Sequence, residues 1–289
     1  MLEPSQIQGV REIRVGRFRI RALRDARFAL DGGAMFGVVP RTLWQRLTPV
    51  NEDHTIPLAT TPFLIEDDRH RVVLEPGLGL RWEEKARRMF HIDHGDGHEI
   101  GASLAALGVE PETVTHCLMS HLHWDHAGGA CGADGEPLFP RAEYWAPASE
   151  IHAALHPDHL RRASYREEDV QPLLDHDLLG GFQGEAEPVP GIRMIELGGH
   201  SDGVSLILVE DGGQTACFWA DVVPTRNHVH LPFIMAYDMN AALSHQVREA
   251  WIPRAVEENW TCLLYHDPLF PMVKFVQDGK RYTFEPIYA

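Results

Sequence analysis

The sequence predicts an α/β protein on three observations. Hydrophobic residues make up 44% of the 289 residues, which is enough for a substantial buried core. Apolar runs typical of strands alternate along the chain with segments of helical spacing. Four of the strand-like runs are followed by a histidine or an aspartate, and loops at strand ends commonly carry functional groups. The length fits one large domain, and we interpret residues 1–289 as such.

The elements are placed by the spacing of apolar residues. Alternation marks a half-buried strand, a spacing of three and four marks a helix, and a short apolar run between turn residues marks a buried strand. The first half shows a strand at 17–23, a Gly-rich turn leading into an apolar patch at 30–47, a hairpin of 63–66 and 71–75, a helix at 99–109 and a buried strand at 114–120. The second half shows a strand at 142–147, a helix at 148–155 capped by Ser149, a polar helical excursion over the surface at 156–184, strands at 193–197, 204–210 and 214–220, a helix at 240–259 interrupted near Pro253, and a strand at 261–265.

The charge balance limits the partners to be expected. The chain carries 26 basic and 42 acidic residues, a net charge of −16. Nucleic acid and anionic membrane surfaces require a basic face, so neither is expected as a partner. A small, neutral or weakly charged substrate fits this composition better.

Cysteine spacing and hydropathy indicate a reducing compartment. The four cysteines form no C-x-x-C pair and are interpreted as buried thiols: Cys117, Cys131, Cys217 and Cys262. The first residues lack the apolar region of a signal peptide, and no apolar run approaches the roughly 18 residues of a membrane helix. We therefore expect a cytoplasmic protein.

The stretch 119–129, "MSHLHWDHAGG", places three histidines and an aspartate within six positions after an apolar run. In an extended chain His121, His123 and Asp125 share one face, and the small residues that follow allow a turn at His126. Imidazole with carboxylate suits Zn²⁺, and also Fe, Co, Ni or Mn. A His-rich loop that merely caps a strand is the alternative, but this spacing beside Gly-Gly favours a metal site.

Two other histidine groups lack a carboxylate that follows an apolar strand. We interpret both as solvated faces rather than metal sites. They are His91, His94 and His98, and His152, His156 and His159.

"SHLHWDHAGG" resembles the signature of the metallo-β-lactamase-fold hydrolases. Further ligands of that superfamily follow later strands, and here the matches are His200 in "LGGHSDG", Asp221 in "FWADVVPT" and His266 in "LLYHDP". The resemblance implies a four-layer αβ/βα sandwich, with two mixed sheets face to face and helices outside. Segments 32–40 and 224–238 are similar to those of the quorum-quenching lactonases and their YtnP-like relatives.

The resemblance also implies a ligand set. One metal ion would be held by His121, His123 and His200, and the other by Asp125, His126 and His266, with Asp221 bridging them. Two departures stand out: "GGHSDG" replaces the usual "PGHTPG", and "EPG" at 75–77 replaces the common "DTG", which puts Glu75 where an aspartate usually supports the site.

Two metal ions in such a cage can share a hydroxide that attacks a carbonyl, and Asp125 could carry its proton to the leaving oxygen. The resemblance thus implies a dinuclear hydrolase of an ester-like bond, and we favour a lactone of the acyl-homoserine type. Tyr237 and His228 are candidates to hydrogen-bond the substrate or a nearby carboxylate; a buried tyrosine and a surface histidine are the alternative. For Met35, Phe36, Trp124 and Phe233, core packing is a better interpretation than a place in the pocket wall.

Other functions share this cage. A β-lactamase, another esterase and a phosphotriesterase are the nearest alternatives. A glutathione thioesterase would need a basic binding site for glutathione, and the sparse cluster of Lys274, Lys280 and Arg281 supports that only weakly. Nuclease activity conflicts with the net charge of −16. A mononuclear iron sulfur dioxygenase and a binding-only module are the alternatives without hydrolysis. A homodimer is compatible with the sequence.

Overall fold

The computed structural model describes residues 11–95 and 99–287, which form two seven-stranded sheets and a separate two-stranded hairpin. The strands in chain order are β1 (Glu12–Val15), β2 (Phe18–Ala22), β3 (Ala26–Asp31), β4 (Thr55–Thr60), β5 (Phe63–Glu66), β6 (Arg71–Leu74), β7 (His116–Leu118), β8 (Glu143–Pro147), β9 (Leu179–Phe182), β10 (Glu185–Val189), β11 (Ile192–Glu196), β12 (Ser205–Asp211), β13 (Gln214–Phe218), β14 (Thr261–Leu263), β15 (Met272–Asp278) and β16 (Arg281–Pro286). The α-helices are α1 (Gly32–Phe36), α2 (Arg41–Trp44), α3 (Glu84–Met89), α4 (Ile100–Ala105), α5 (Trp124–Ala127), α6 (Ala148–Leu155), α7 (Gln171–Asp175) and α8 (Ala241–Glu257).

Both large sheets are mixed, as predicted. The first has the order β1-β2-β5-β6-β7-β8-β9, antiparallel up to β6 and parallel from β6 to β9. The second runs β10 to β16 in sequence order, and its one parallel pair among the described residues is β13 with β14. Parallel neighbours end at the same sheet edge, so the loops after β7, after β13 and after β14 can carry side chains to one place.

Alternation of side chains along the strands explains the layers. In β5, Phe63 and Ile65 point into the core between the two sheets, whereas Leu64 points to the outer face. Across the interface Phe63 meets Phe218 of β13, with ring centroids 5.8 Å apart. The first sheet is therefore buried on both faces, which requires a helical layer outside it.

Helices supply the outer layers. Leu104 of α4 and Ala153 of α6 pack with Leu64 on the outer face of the first sheet. The long helix α8 buries Val247 and Ile252 and contacts β15 of the second sheet. This is the four-layer sandwich that the resemblance implied.

The hairpin of β3 and β4 carries a third apolar cluster, which the sequence analysis did not predict. It pairs Ala26 with Thr60 and Asp31 with Thr55, and helices α1 and α2 lie between its strands in sequence. Phe28, Met35 and Trp44 are buried in this cluster. The expected Gly-rich turn is therefore two short helices. They pack in one cluster with Trp124, which lies within the histidine-rich stretch 119–129.

The expected helical excursion at 156–184 is wrong in two respects. Only α7 and a 3-10 turn at Glu167–Asp169 are helical, and Leu179–Phe182 forms edge strand β9. Tyr165, Val170 and Leu173 are buried, so the segment is part of the core rather than a surface addition. That residues 1–289 form one domain stays a prediction.

Two boundary predictions are also corrected. Helix α6 begins at Ala148 after Pro147, and Ser149 does not cap it, because the Ser149 hydroxyl donates to Glu196 Oε1 at 2.6 Å. Helix α8 is continuous through Pro253, since Ile252 and Ala255 on either side of it are anchored in the core. Among the helices of 11–95 and 99–287, none has the length and apolar character needed to cross a membrane.

Candidate metal centre

Four strand ends deliver the seven predicted ligands to one place. His121, His123, Asp125 and His126 follow β7, whereas His200 follows β11, Asp221 follows β13 and His266 follows β14. His123 has an extended backbone, and the single turn of α5 begins at Trp124. Because of this turn, Asp125 points with His126 toward His266, while His121 and His123 point toward His200.

Asp221 contacts both groups of ligands. Its Oδ2 lies 3.1 Å from His200 Nε2, and its Oδ1 lies 3.1 Å from His266 Nε2. Oδ1 is also 3.3 Å from His126 Nε2. One carboxylate thus spans the two sets of donors.

Each group is internally close. His123 Nδ1 and His200 Nε2 are 3.1 Å apart, and so are His126 Nε2 and His266 Nε2. Asp125 Oδ2 lies 3.5 Å from His266 Nε2. All seven side chains belong to residues no more than 9% exposed, and polar groups so buried need partners.

The outward ring nitrogens are held by neighbouring groups. His200 Nδ1 lies 2.9 Å from Asp238 Oδ1, and His121 Nδ1 lies 2.9 Å from Ser120 Oγ. His266 Nδ1 lies 2.9 Å from the Ala59 carbonyl, to which it can only donate, so its Nε2 is the ring nitrogen that faces the cluster. Such contacts fix a ligating histidine in metal sites.

The donor set fits a cation. Among the described residues His121 Nε2 and Asp221 Oδ1 have no hydrogen-bond partner, although both are buried. Burial and the neighbouring histidines hold the pKa of His121 well below its ordinary value, so its nitrogen is a free donor. Burial acts on Asp221 in the opposite sense, but His266, His200 and His126 hold its pKa well below the ordinary range. Imidazole nitrogens around an anionic carboxylate are ligands that Zn²⁺ and similar ions prefer.

Glu75 contacts His126 of the cluster through Nδ1, the ring nitrogen that does not face Asp221. Its Oε1 accepts a hydrogen bond from Ser120 N at 2.9 Å and lies 3.6 Å from His126 Nδ1. The residue is fully buried and adopts a left-handed backbone with φ of 57°. A glutamate in place of the usual aspartate therefore still supports a histidine of the cluster. Glu75 also forms a compact group with His121 and His126.

His228, the second residue predicted to act beside the ligands, lies in the core against α1. His228 is completely buried and stacks on Phe36 with centroids 4.9 Å apart. Its Nδ1 lies 2.8 Å from Thr225 Oγ1, and its Nε2 lies 2.8 Å from the Met35 carbonyl. Both ring nitrogens have partners, so the side chain connects the segment after Asp221 to α1, and it is not among the residues that line the cavity beside the ligands.

The burial of His228 should make the stability of the fold sensitive to acid. Burial, and then Arg248, lowers the pKa of His228 from 6.5 to about 4, so the unfolded chain binds a proton at this position that the folded chain excludes between those values. The free energy of unfolding should consequently fall as the pH drops from 6.5 to 4, by about 3 kcal/mol from this residue. Denaturant titrations in chelator should show this slope in the parent protein and a shallower one in His228→Gln. Identical slopes would contradict it.

Five of the seven predicted ligands line a cavity of about 300 Å³, at the lower end of the range for small-molecule sites: His123, Asp125, His200, Asp221 and His266. Its walls are mostly apolar and include Met35 and Trp124; Phe36 and Phe233 do not line it. Tyr237 also lines the cavity and is 38% exposed. Burial, and then Asp31 and Asp125, raises the pKa of Tyr237 to about 12, so the phenol keeps its proton at neutral pH. Of the two further candidates, the structure thus brings Tyr237 to the site.

The other histidine groups lie apart from this cluster. His91 is partly exposed and lies 2.6 Å from Asp53 Oδ2, and His152 packs against His156 at 5.2 Å. His94 is not solvated, contrary to expectation, because it is only 7% exposed and its Nδ1 lies 4.0 Å from buried Asp25. His98 lies outside the described residues.

Asp238 is the supporting residue that sequence reasoning did not assign. Its carboxyl group is fully covered where it meets His200, although it lies in a segment without regular structure. The only local signal is its position beside Tyr237. Nothing in the sequence shows that the chain folds back there onto a residue 38 positions earlier.

Together, the fold and the site define an α/β protein whose two facing sheets present a histidine and carboxylate centre at one edge. The chain belongs to the metallo-beta-lactamase superfamily, whose family model matches residues 55–259. A solved "probable metal-dependent hydrolase" from Staphylococcus aureus is 32% identical, with a TM-score of 0.89 over 96% of this chain and 99% of that one.

Two further comparisons concern lactonases. An N-acyl homoserine lactonase from Bacillus thuringiensis is 33% identical over 107 residues, which cover 37% of this chain and 37% of that protein. The dizinc quorum-quenching lactonase AidC has the same fold, with a TM-score of 0.79 at 15% identity over 98% of this chain and 99% of that one.

Proposed function

We propose that this protein is a dinuclear metal-dependent hydrolase that opens an ester-like bond, with a lactone of the acyl-homoserine type as substrate. The observation that carries the proposal is the position of Asp221, whose two carboxylate oxygens lie 3.1 Å from His200 and 3.1 Å from His266. One side chain thereby joins two compact groups of metal-grade donors.

The groups correspond to two ligand sets. His121, His123 and His200 would hold one divalent ion, and Asp125, His126 and His266 the other, with Asp221 shared. Zinc is the first choice for this donor set, and Fe, Co, Ni and Mn are alternatives. When bound, two such ions would supply Lewis acidity and a water whose pKa is lowered toward about 7.

Residues of the chain would handle the substrate and its protons. Asp125 lines the cavity beside His266, where its carboxylate can accept a proton and return it to the leaving oxygen. Tyr237 lines the same cavity and can donate its hydroxyl hydrogen to a carbonyl or developing alkoxide. The apolar walls would receive an acyl chain and exclude water.

Metal analysis combined with a substrate panel tests the proposal. We expect about two ions per chain and turnover of acyl-homoserine lactones well above that of an open-chain ester, a phosphotriester and a chromogenic cephalosporin. Preferred turnover of the phosphotriester or the cephalosporin would overturn the lactone assignment. A single iron without hydrolytic activity would favour a sulfur dioxygenase instead.

Tyr237→Phe tests the role of the hydroxyl. We expect kcat for the lactone to fall about tenfold or more, because a donor to developing charge is lost, with two ions still bound. Steady-state kinetics with metal analysis checks both quantities. Tyr282→Phe, at a tyrosine that does not line this cavity, is the matched control. Unchanged kcat in Tyr237→Phe would remove the hydroxyl from the mechanism.

Dimerisation and a cytoplasmic location stay predictions. The relatives named above as lactonases act on small molecules, and the proposed partner is likewise a small ester or lactone.

A further inference from the structure

Apart from the proposed ligands, Glu150 is a buried carboxylate without a basic partner among the described residues. It lies in the first turn of α6 and is 0% exposed. No ion pair within the described residues involves it. A buried carboxylate needs several good hydrogen bonds to offset the loss of its hydration.

Glu150 accepts three hydrogen bonds from two different loops and a tyrosine. Its Oε2 accepts from Leu122 N at 3.1 Å and from Tyr165 Oη at 2.9 Å. Its Oε1 accepts from Gly203 N at 2.8 Å. Leu122 lies between His121 and His123, and Gly203 follows His200 by three residues.

The surrounding packing is built for these bonds. An added Cβ at Gly203 would lie 2.2 Å from Ser149 Oγ and 2.8 Å from Pro147 Cβ, so only glycine lets this loop approach α6 closely. Tyr165, which donates to Glu150, also packs its ring edge-on against His123 at 4.9 Å. Both oxygens of the carboxylate therefore bond to groups that adjoin the same ligand set, His121, His123 and His200.

We infer that Glu150 is a positioning residue for the ion held by His121, His123 and His200. Its hydrogen bonds connect the loop of His121 and His123 to the loop of His200. None of its three hydrogen bonds goes to Asp125, His126 or His266. The inference rests on the proposed function, because it presupposes the two ligand sets.

Glu150→Gln is the sharpest substitution, because glutamine keeps the shape but presents an N–H group to one of the three donors. We expect affinity at the His121–His123–His200 set to fall about tenfold, as for other groups that orient ligands. Affinity at the Asp125–His126–His266 set should stay within about twofold. Tyr165→Phe removes one donor and should weaken the first set about threefold.

The measurement uses the full chain, stripped of metal and titrated with Co²⁺ against a chromophoric chelator. The ring N–H protons of His200 and His266, held by Asp238 and the Ala59 carbonyl, report the two sets separately by paramagnetic NMR. Glu84→Gln, an exposed residue of α3, is the matched control.

A loss of Co²⁺ affinity reported by the His200 ring proton, without a loss reported by the His266 ring proton, supports the inference. Equal weakening of both sets, or no weakening, overturns it and leaves Glu150 as a purely structural residue. If Glu150→Gln does not fold, Tyr165→Phe decides by the same criterion. Failure of the parent protein to bind two ions would refute the proposed function, whereas two ions in the parent, with the affinity of both sets unchanged in both variants, would refute this inference alone.

Discussion

Asp221→Asn is expected to reduce the metal content from two ions per chain to one or none and to lower kcat/KM for a lactone about 10³-fold. Asp221 is the one proposed ligand whose two oxygens face both donor groups. Asparagine removes the negative charge and turns an N–H group toward a histidine nitrogen. The remaining donors then face a cation with weaker charge compensation and without a shared oxygen.

Elemental analysis after gel filtration, together with lactone kinetics, measures both effects. Asp68→Asn, at the exposed turn of the β5–β6 hairpin, changes the net charge by the same amount and should match the parent protein. Two ions and activity within tenfold of the parent in Asp221→Asn would show that Asp221 does not bridge.

Asp125→Asn is expected to lower kcat about 10²-fold or more when assayed at saturating zinc. The substitution keeps an oxygen close to His266 but removes the group proposed to move a proton from the attacking water to the leaving oxygen. Saturating metal separates this loss from weaker ion binding. A pH–rate profile should also lose its acidic limb if Asp125 acts as the proton carrier.

This variant separates a hydrolase from a binding module. A protein that only binds a ligand has no turnover, so Asp125→Asn would have nothing to remove. Asp134→Asn, in the loop after Cys131, serves as the matched control. Full activity of Asp125→Asn would assign the proton transfer to another group.

Individual strands could be predicted because their signals are local, whereas the four-layer arrangement was implied by the family resemblance. Short apolar runs predicted the buried strands β7 and β14, and the runs at 63–66 and 71–75 predicted the β5–β6 hairpin. The hairpin of β3 and β4 was missed because 23 residues, positions 32–54, separate its strands and no short turn marks it. Strand β9 was missed because its sequence, "LGGF", contains two glycines and lacks the usual strand composition.

The proposed ligands could be found from sequence because each follows an apolar strand, and strand ends collect at sheet edges. The residues behind them could not, because their roles depend on contacts between distant segments. Asp238 lies in an irregular segment, and Glu150 lies on a helix, 28 residues after Leu122 of the ligand loop that it contacts. His228 shows the converse: a histidine in a polar segment resembles a catalytic group until both of its nitrogens are seen to be occupied.

The central claim is that the chain holds two ions around Asp221. Anomalous diffraction at the zinc edge, from crystals grown with zinc, tests it most directly. We expect two peaks about 3.5–4 Å apart, one beside His121, His123 and His200 and the other beside Asp125, His126 and His266, with Asp221 in contact with both. A single peak, or two peaks that leave Asp221 without contact to either, would contradict it.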